Sequence, residues 1–161
     1  LNRHTLVSLF LAALMLSHLV LSLLVYYRLD RKEDFRSAAG FVMNQYQPGD
    51  LLLFVTNSGE TLFNWYQKER VNTVRSTGIP QSFLDPPNQS PGTVITTSQD
   101  IRSLPDLVAR GRRLWLIRLR TQYHDPNELT FKWMEQHCRW ISRKEFFGVR
   151  IDLFVPSGVL L

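Results

Sequence analysis

Two short stretches of this 161-residue chain hold residue types suited to gripping a phosphate group. Ser58 and Gly59 follow the apolar run Leu51 to Val55, at the carboxyl end of a strand, where an open α/β sheet usually receives its ligand. Arg118 and Arg120, preceded by Arg110, Arg112 and Arg113, form the densest basic cluster; two apart on a strand, they share a face. A hydroxyl, a bare backbone N–H and two guanidinium groups all donate to phosphate oxygens. Each feature also has a structural reading. Ser58 has the right type and place to cap a short helix. Charge clusters without an accompanying motif are commonly surface, so the arginines are read as a solvated strand end.

Stronger chemical signatures do not form. A dinucleotide fingerprint or a P-loop needs several glycines, and the latter a lysine, after the strand. This chain offers Thr56-Asn57-Ser58-Gly59-Glu60, so no nucleotide or other cofactor is expected. Pro48-Gly49 in YQPGDLLLF comes before its strand and reads as the place where a sheet begins. His124-Asp125 resembles a dyad, but Asp125 is better employed as a helix cap. His137 and Cys138 are adjacent on a helix, point in different directions and cannot share a metal. No catalytic residue and no metal site are assigned. Trp115, Trp133 and Trp140 read as core or rim packing. A single cysteine excludes an intrachain disulfide.

The elements that would position these residues begin with an anchor. From Thr5 to Tyr27 the chain carries no charged side chain, and a helix of that length is roughly 34 Å long, enough to cross a hydrocarbon core of about 30 Å. The run is longer than a signal peptide's apolar region and ends in Leu24-Val25-Tyr26-Tyr27, without small residues for cleavage. Tyr26, Tyr27, Arg28, Arg31 and Lys32 suit an interfacial aromatic pair and headgroup contacts. Ser8, His18 and Ser22 fall within a sector of roughly 80° and form a polar face directed at other membrane helices. The domain plan is a flank over 1–4, a transmembrane helix over 5–27 and a soluble domain over 28–161.

In that domain, Phe35, Ala38, Ala39, Val42, Met43 and Tyr46 have helical spacing over Asp34 to Gln47. Leu51 to Val55 is a strand buried on both faces, and a short helix through Gln67 carries Leu62, Phe63 and Tyr66 on one side. Val71 to Val74 is a candidate second strand. Residues 76–97, rich in Pro, Ser, Asn and Gln, read as an irregular loop. Ser103 caps a helix that ends at Gly111, and Leu114 to Ile117 is a second buried strand. Asp125 caps a helix carrying Leu129, Phe131, Trp133, Met134 and Cys138. Ile141 to Phe147 and Val149 to Val155 form a hairpin. This alternation predicts a small layered α/β domain with a mostly parallel sheet and an antiparallel edge hairpin at its C-terminal end.

The net charge of +5 gives little support for nucleic acid. Without residues 1–27, whose only formal charge is Arg3, 18 basic and 14 acidic residues remain, a net +4. Anionic headgroups account for that surplus, and the partners expected are the lipid bilayer and no nucleic acid.

Lys32-Glu33-Asp34-Phe35-Arg36-Ser37-Ala38-Ala39 after the apolar helix, Pro48-Gly49-Asp50 before a strand, Phe63-Asn64-Trp65-Tyr66, Gly78-Ile79-Pro80 and Arg113-Leu114-Trp115-Leu116-Ile117 occur in a familiar order. Together they resemble the C-terminal soluble region of bacterial GT-C membrane glycosyltransferases, of the dolichyl-phosphate-mannose-protein mannosyltransferase and aminoarabinose-transferase type. Phe35 and Trp65 stand where that family often has Trp and Tyr. The resemblance implies a polytopic enzyme that moves a sugar from a polyprenyl-phosphate carrier. This chain would supply its last membrane helix and its extracytoplasmic α/β cap. The family's catalytic acid belongs to an early loop, so the resemblance carries none onto this chain. The other reading is a single-pass, membrane-anchored binding or accessory module.

Arg28, Arg31 and Lys32 outnumber Arg3, and the positive-inside rule alone would keep the domain in the cytoplasm. The resemblance implies the opposite side, since earlier helices fix orientation in a polytopic protein. A reporter fused after Leu161 is therefore expected to be active outside the cytoplasm. Activity restricted to a cytoplasmic reporter overturns that expectation.

Overall fold

The computed structural model describes residues 2–29, 32–67, 74–79 and 95–157. They belong to two compact units, Leu1–Lys32 and Glu33–Leu161. The first is a single helix, α1 (Arg3–Leu29). Within it Arg3–Tyr27 has a mean hydropathy of 2.3 and is long and apolar enough to cross a membrane. Its side chains are exposed, those of Ser8, His18 and Ser22 included, while the Ser17 hydroxyl donates back to the Leu14 carbonyl at 2.8 Å.

The second unit is a mixed α/β domain. Its elements are α2 (Phe35–Gln45), β1 (Leu51–Val55), α3 (Asn57–Tyr66), β2 (Arg75–Ile79), α4 (Ser98–Ile101), α5 (Leu104–Val108), β3 (Leu114–Leu119), α6 (Thr121–His124), α7 (Leu129–His137), β4 (Cys138–Phe146) and β5 (Val149–Pro156). The sheet order is β2-β1-β3-β5-β4. The strands β2, β1 and β3 run parallel, whereas β5 pairs antiparallel with β3 and β4 antiparallel with β5.

Strands β1 and β3 are buried along their whole length, the pattern expected of strands covered on both faces. Their side chains alternate between two cores. Leu52, Phe54, Trp115 and Ile117 pack with α2 and Phe63 of α3, and Leu51, Leu53, Leu114 and Leu116 pack with Leu104, Leu107 and Met134. The helical spacing of the sequence is realised in α2, which buries Phe35, Ala38, Ala39, Val42 and Met43. The Asp34 carboxylate caps it by accepting from Ser37 N–H at 3.1 Å.

The YQPGD stretch is a structural junction. The buried Asp50 carboxylate accepts from Gln47 N–H (3.0 Å), Arg113 Nε and Nη2 (2.9 and 2.6 Å) and Trp115 Nε1 (2.9 Å). It thereby ties the start of β1 to the start of β3.

Several local expectations are corrected. Strand β2 lies at Arg75–Ile79 and so takes in residues 76–79, the start of the stretch read as an irregular loop; residues 71–73 and 80–94 lie outside the described residues. The helix α3 does not place Leu62, Phe63 and Tyr66 on one side, because Phe63 is buried while Leu62 and Tyr66 are exposed. Ser103 makes no capping bond; its hydroxyl donates to the Asp100 carbonyl at the end of α4, which a Thr97–Asp100 capping box begins. Asp125 does cap α7, accepting from Leu129 and Thr130 N–H at 2.8 and 3.0 Å, although that helix begins only at Leu129. Cys138 leaves α7 and opens β4.

The tightest electrostatic constraint is Asp152, fully buried on β5. It accepts from Arg118 Nε and Nη2 at 3.0 and 2.6 Å and from Arg143 Nε at 2.6 Å. Asp152→Ala leaves buried Arg118 with Glu128 alone and is expected to cost about 3 kcal/mol, whereas joint Arg118→Met and Asp152→Leu recovers most of it. Urea unfolding of the detergent-solubilised chain measures both. A loss below about 1 kcal/mol for Asp152→Ala contradicts the assignment.

Candidate functional site

The carboxyl end of β3 and the β4–β5 turn enclose a cleft of about 190 Å³. Arg118 and Arg120 line it with Thr121, Gln122, Glu145, Gly148 and Arg150. The arginine pair singled out from sequence therefore does converge on one cavity. Ser58 and Gly59 do not line it.

Arg118 is not a solvated strand end. It is 2% exposed, and burial of a guanidinium requires partners that replace water. Asp152 supplies two hydrogen bonds, and Arg118 Nη1 donates to Glu128 Oε1 at 3.0 Å. The Phe131 ring centroid lies 4.3 Å from its guanidinium carbon and 5.1 Å from that of Arg143. Across the ladder Arg118 directly faces Arg150, a like-charge pairing that by itself destabilises. Glu128 relieves it by approaching Arg150 Nη1 at 3.6 Å, and Arg150 Nε also donates to Glu145 at 2.9 Å.

Arg120 lies just past β3 and outside its face, in the left-handed region at φ 46, where its carbonyl accepts the first bonds of α6. It is exposed and pairs with Glu33. Gly148 closes the turn at φ 71, and a Cβ there would lie 2.6 Å from Glu33 Cγ, so only glycine fits. Asp34 N–H donates to the Phe147 carbonyl at 2.8 Å and seals the same corner. The network holds Arg118, Arg120, Arg143 and Arg150 against Glu33, Glu128, Glu145 and Asp152, four cations with four anions. Glu33 engages Arg120 and Glu145 engages Arg150 through Nε, so an incoming anion would compete with these acids for the two cations.

Ser58 and Gly59 serve the fold. The helix α3 starts at Asn57, so Ser58 sits within its first turn rather than at the cap, and its hydroxyl lies 2.9 Å from Thr56 Oγ1. Gly59 lets α3 approach β3, since a Cβ would come 2.5 Å from Leu119 Cδ2.

Sequence reasoning missed Glu33, Glu128 and Asp152 as partners. A signal was present: an arginine in the apolar run LWLIRL and an aspartate in VRIDLFV are charges in buried-strand patterns, and such charges need opposite partners. His124 is buried, and the Asp125 carboxylate is engaged in capping α7. His137 stacks on Trp133 at 4.2 Å. Burial pushes the Cys138 thiol up to about 11, which keeps it a thiol at neutral pH. Among the described residues no group of three or more His, Cys, Asp and Glu could hold a metal ion.

No family model and no curated protein matches the chain. Among solved structures, Thermoplasma acidophilum 1320 shares 8% identity over 76% of this chain and 90% of its own, at a TM-score of 0.39. The 16S rRNA methylase RmtB shares 13% identity over 75% of this chain and 61% of its own, at a TM-score of 0.34. Similarity at these scores carries no argument about function.

The hydrogen bond from Arg120 holds the Glu33 carboxyl below its ordinary value of 4.5. A depressed carboxyl contributes stability that is complete above pH 4.5 and disappears as pH falls through the lower folded-state value. Glu33→Gln is expected to lower the midpoint of thermal unfolding at neutral pH and to converge with the parent chain in acid. It should also raise inorganic-phosphate affinity at neutral pH by freeing Arg120, measured by calorimetry. Identical midpoints at both pH values contradict the role given to the pair.

Proposed function

We propose that this chain is the C-terminal, non-catalytic part of a glycosyltransferase-like integral membrane protein that moves a sugar from a polyprenyl-phosphate carrier. Its α/β domain lies on the extracytoplasmic side, and α1 packs among other membrane helices through Ser8, His18 and Ser22. The observation that supports this most is where the residues behind the family resemblance stand. Asp50 of the Pro-Gly-Asp stretch binds Arg113 and Trp115 of the Arg-Leu-Trp stretch. Phe63 packs its ring on Phe54 at 5.3 Å, Asp34 caps α2, and Ile79 is buried on β2. These stretches, far apart in sequence, thus all take structural positions in one folded domain.

A membrane-anchored binding or accessory module is the second reading. It is favoured by the charged cleft, where half-exposed Arg150 and exposed Arg120 border open space.

Membranes containing this chain alone, supplied with a polyprenyl-phosphate-linked sugar and an acceptor, are expected to transfer no sugar, while alkaline carbonate leaves the chain in the membrane pellet. Transfer by this chain alone contradicts the non-catalytic assignment, and release by carbonate contradicts the anchored one.

A further inference from the structure

We propose that the outward face of α3, formed by Leu62, Trp65 and Tyr66 and edged by Arg36, docks on the headgroup layer of a lipid bilayer. The helix turns Gly59 and Phe63 toward the sheet, and Leu62, Trp65 and Tyr66, three and four residues apart, form the exposed flank beside them. They are 45%, 65% and 42% exposed. A cluster of large apolar side chains on one face of a short helix marks a contact surface.

Its chemistry is that of the membrane interface. Trp and Tyr place an apolar ring among acyl chains and a polar edge among headgroups. Arg36, in the first turn of α2, sits with its guanidinium carbon 6.0 Å from the Tyr66 ring centroid, which puts a cation for lipid phosphate at the border of the apolar face.

Chain connectivity selects lipid as the occupant. Glu33, the first residue of the domain, follows the apolar span by six residues, and Arg36 by nine. The tether keeps the whole domain near any bilayer that contains the span, whichever way the domain is turned. So short a tether gives roughly millimolar effective concentration, enough for a weak surface affinity to be occupied. The inference needs the span to be inserted and does not depend on sugar transfer.

The test uses the full chain in vesicles of phosphatidylcholine and phosphatidylglycerol, with and without bromine atoms high on the acyl chains. Trp65, Trp115, Trp133 and Trp140 all lie outside the apolar span, so bromine quenching reports on the domain. Brominated lipid is expected to remove the share of the emission carried by one of the four tryptophans. Trp65→Phe, a change at an exposed site that preserves the fold, abolishes that loss; Trp140→Phe, at another half-exposed tryptophan, leaves it intact. Quenching that persists in Trp65→Phe overturns the proposal, as does no quenching in vesicles from which carbonate fails to extract the chain. Trp65 shielded from aqueous iodide yet untouched by bromine assigns the face to a protein contact and also overturns it. Extraction by carbonate overturns docking and anchoring together.

Discussion

A single cation buried in the middle of the sheet sets the terms for the domain. Arg118 lies on β3, a strand whose six residues are all buried, and its charge is stable there only because Asp152 and Glu128 surround it. Asp152 can reach it only when β5 pairs in one register, with Leu116 opposite Asp152 and Arg118 opposite Arg150. A slip of one residue would turn Asp152 into the first core, among Ile151, Leu153 and Val149, and leave two uncompensated charges in apolar surroundings. Arg143, paired across the ladder with Asp152, imposes the same condition on β4. The C-terminal hairpin is thus locked to the parallel half of the sheet by charge as well as by packing.

The opposite end of β3 repeats the device with other residues. Asp50 collects Arg113, Trp115 and a backbone N–H, so the two central strands start from one clamp. Between the clamps the strands need only apolar side chains. The turns that carry the charged groups lie outside them, which leaves the carboxyl end of β3 open as a cleft. Each arginine lining it, Arg118, Arg120 and Arg150, already has an acid partner, with which an incoming anion would compete. Glu33 belongs to this network, which connects the start of the domain to the far hairpin through Arg120, Gly148 and Phe147.

The surface divides labour in a way that bears on the proposed membrane roles. On the sheet, charges are neutralised within the fold. On α3, Leu62, Trp65 and Tyr66 keep exposed apolar surface near Arg36. Membrane association of this kind needs no catalytic group, which is consistent with a domain that supports a larger enzyme or serves as an anchored module.

The sequence alone determined the features governed by local pattern: the long uncharged helix, the amphipathic α2, the two continuous apolar strands, Asp125 as a cap and the alternation that makes an α/β domain. Each depends on neighbours within a few residues, so periodicity and turn chemistry suffice to read it. Strand β2 escaped because Arg75-Ser-Thr-Gly-Ile79 is polar and lies beside a proline-rich stretch; its place comes from pairing with β1. The role of Arg118 was decided only in three dimensions. A lone arginine near a strand end looks solvated until a partner 34 residues later closes over it, and which face of α3 stays wet depends on where the sheet lies. Long-range neutralisation and burial are properties of the packed chain, and one-dimensional spacing does not contain them.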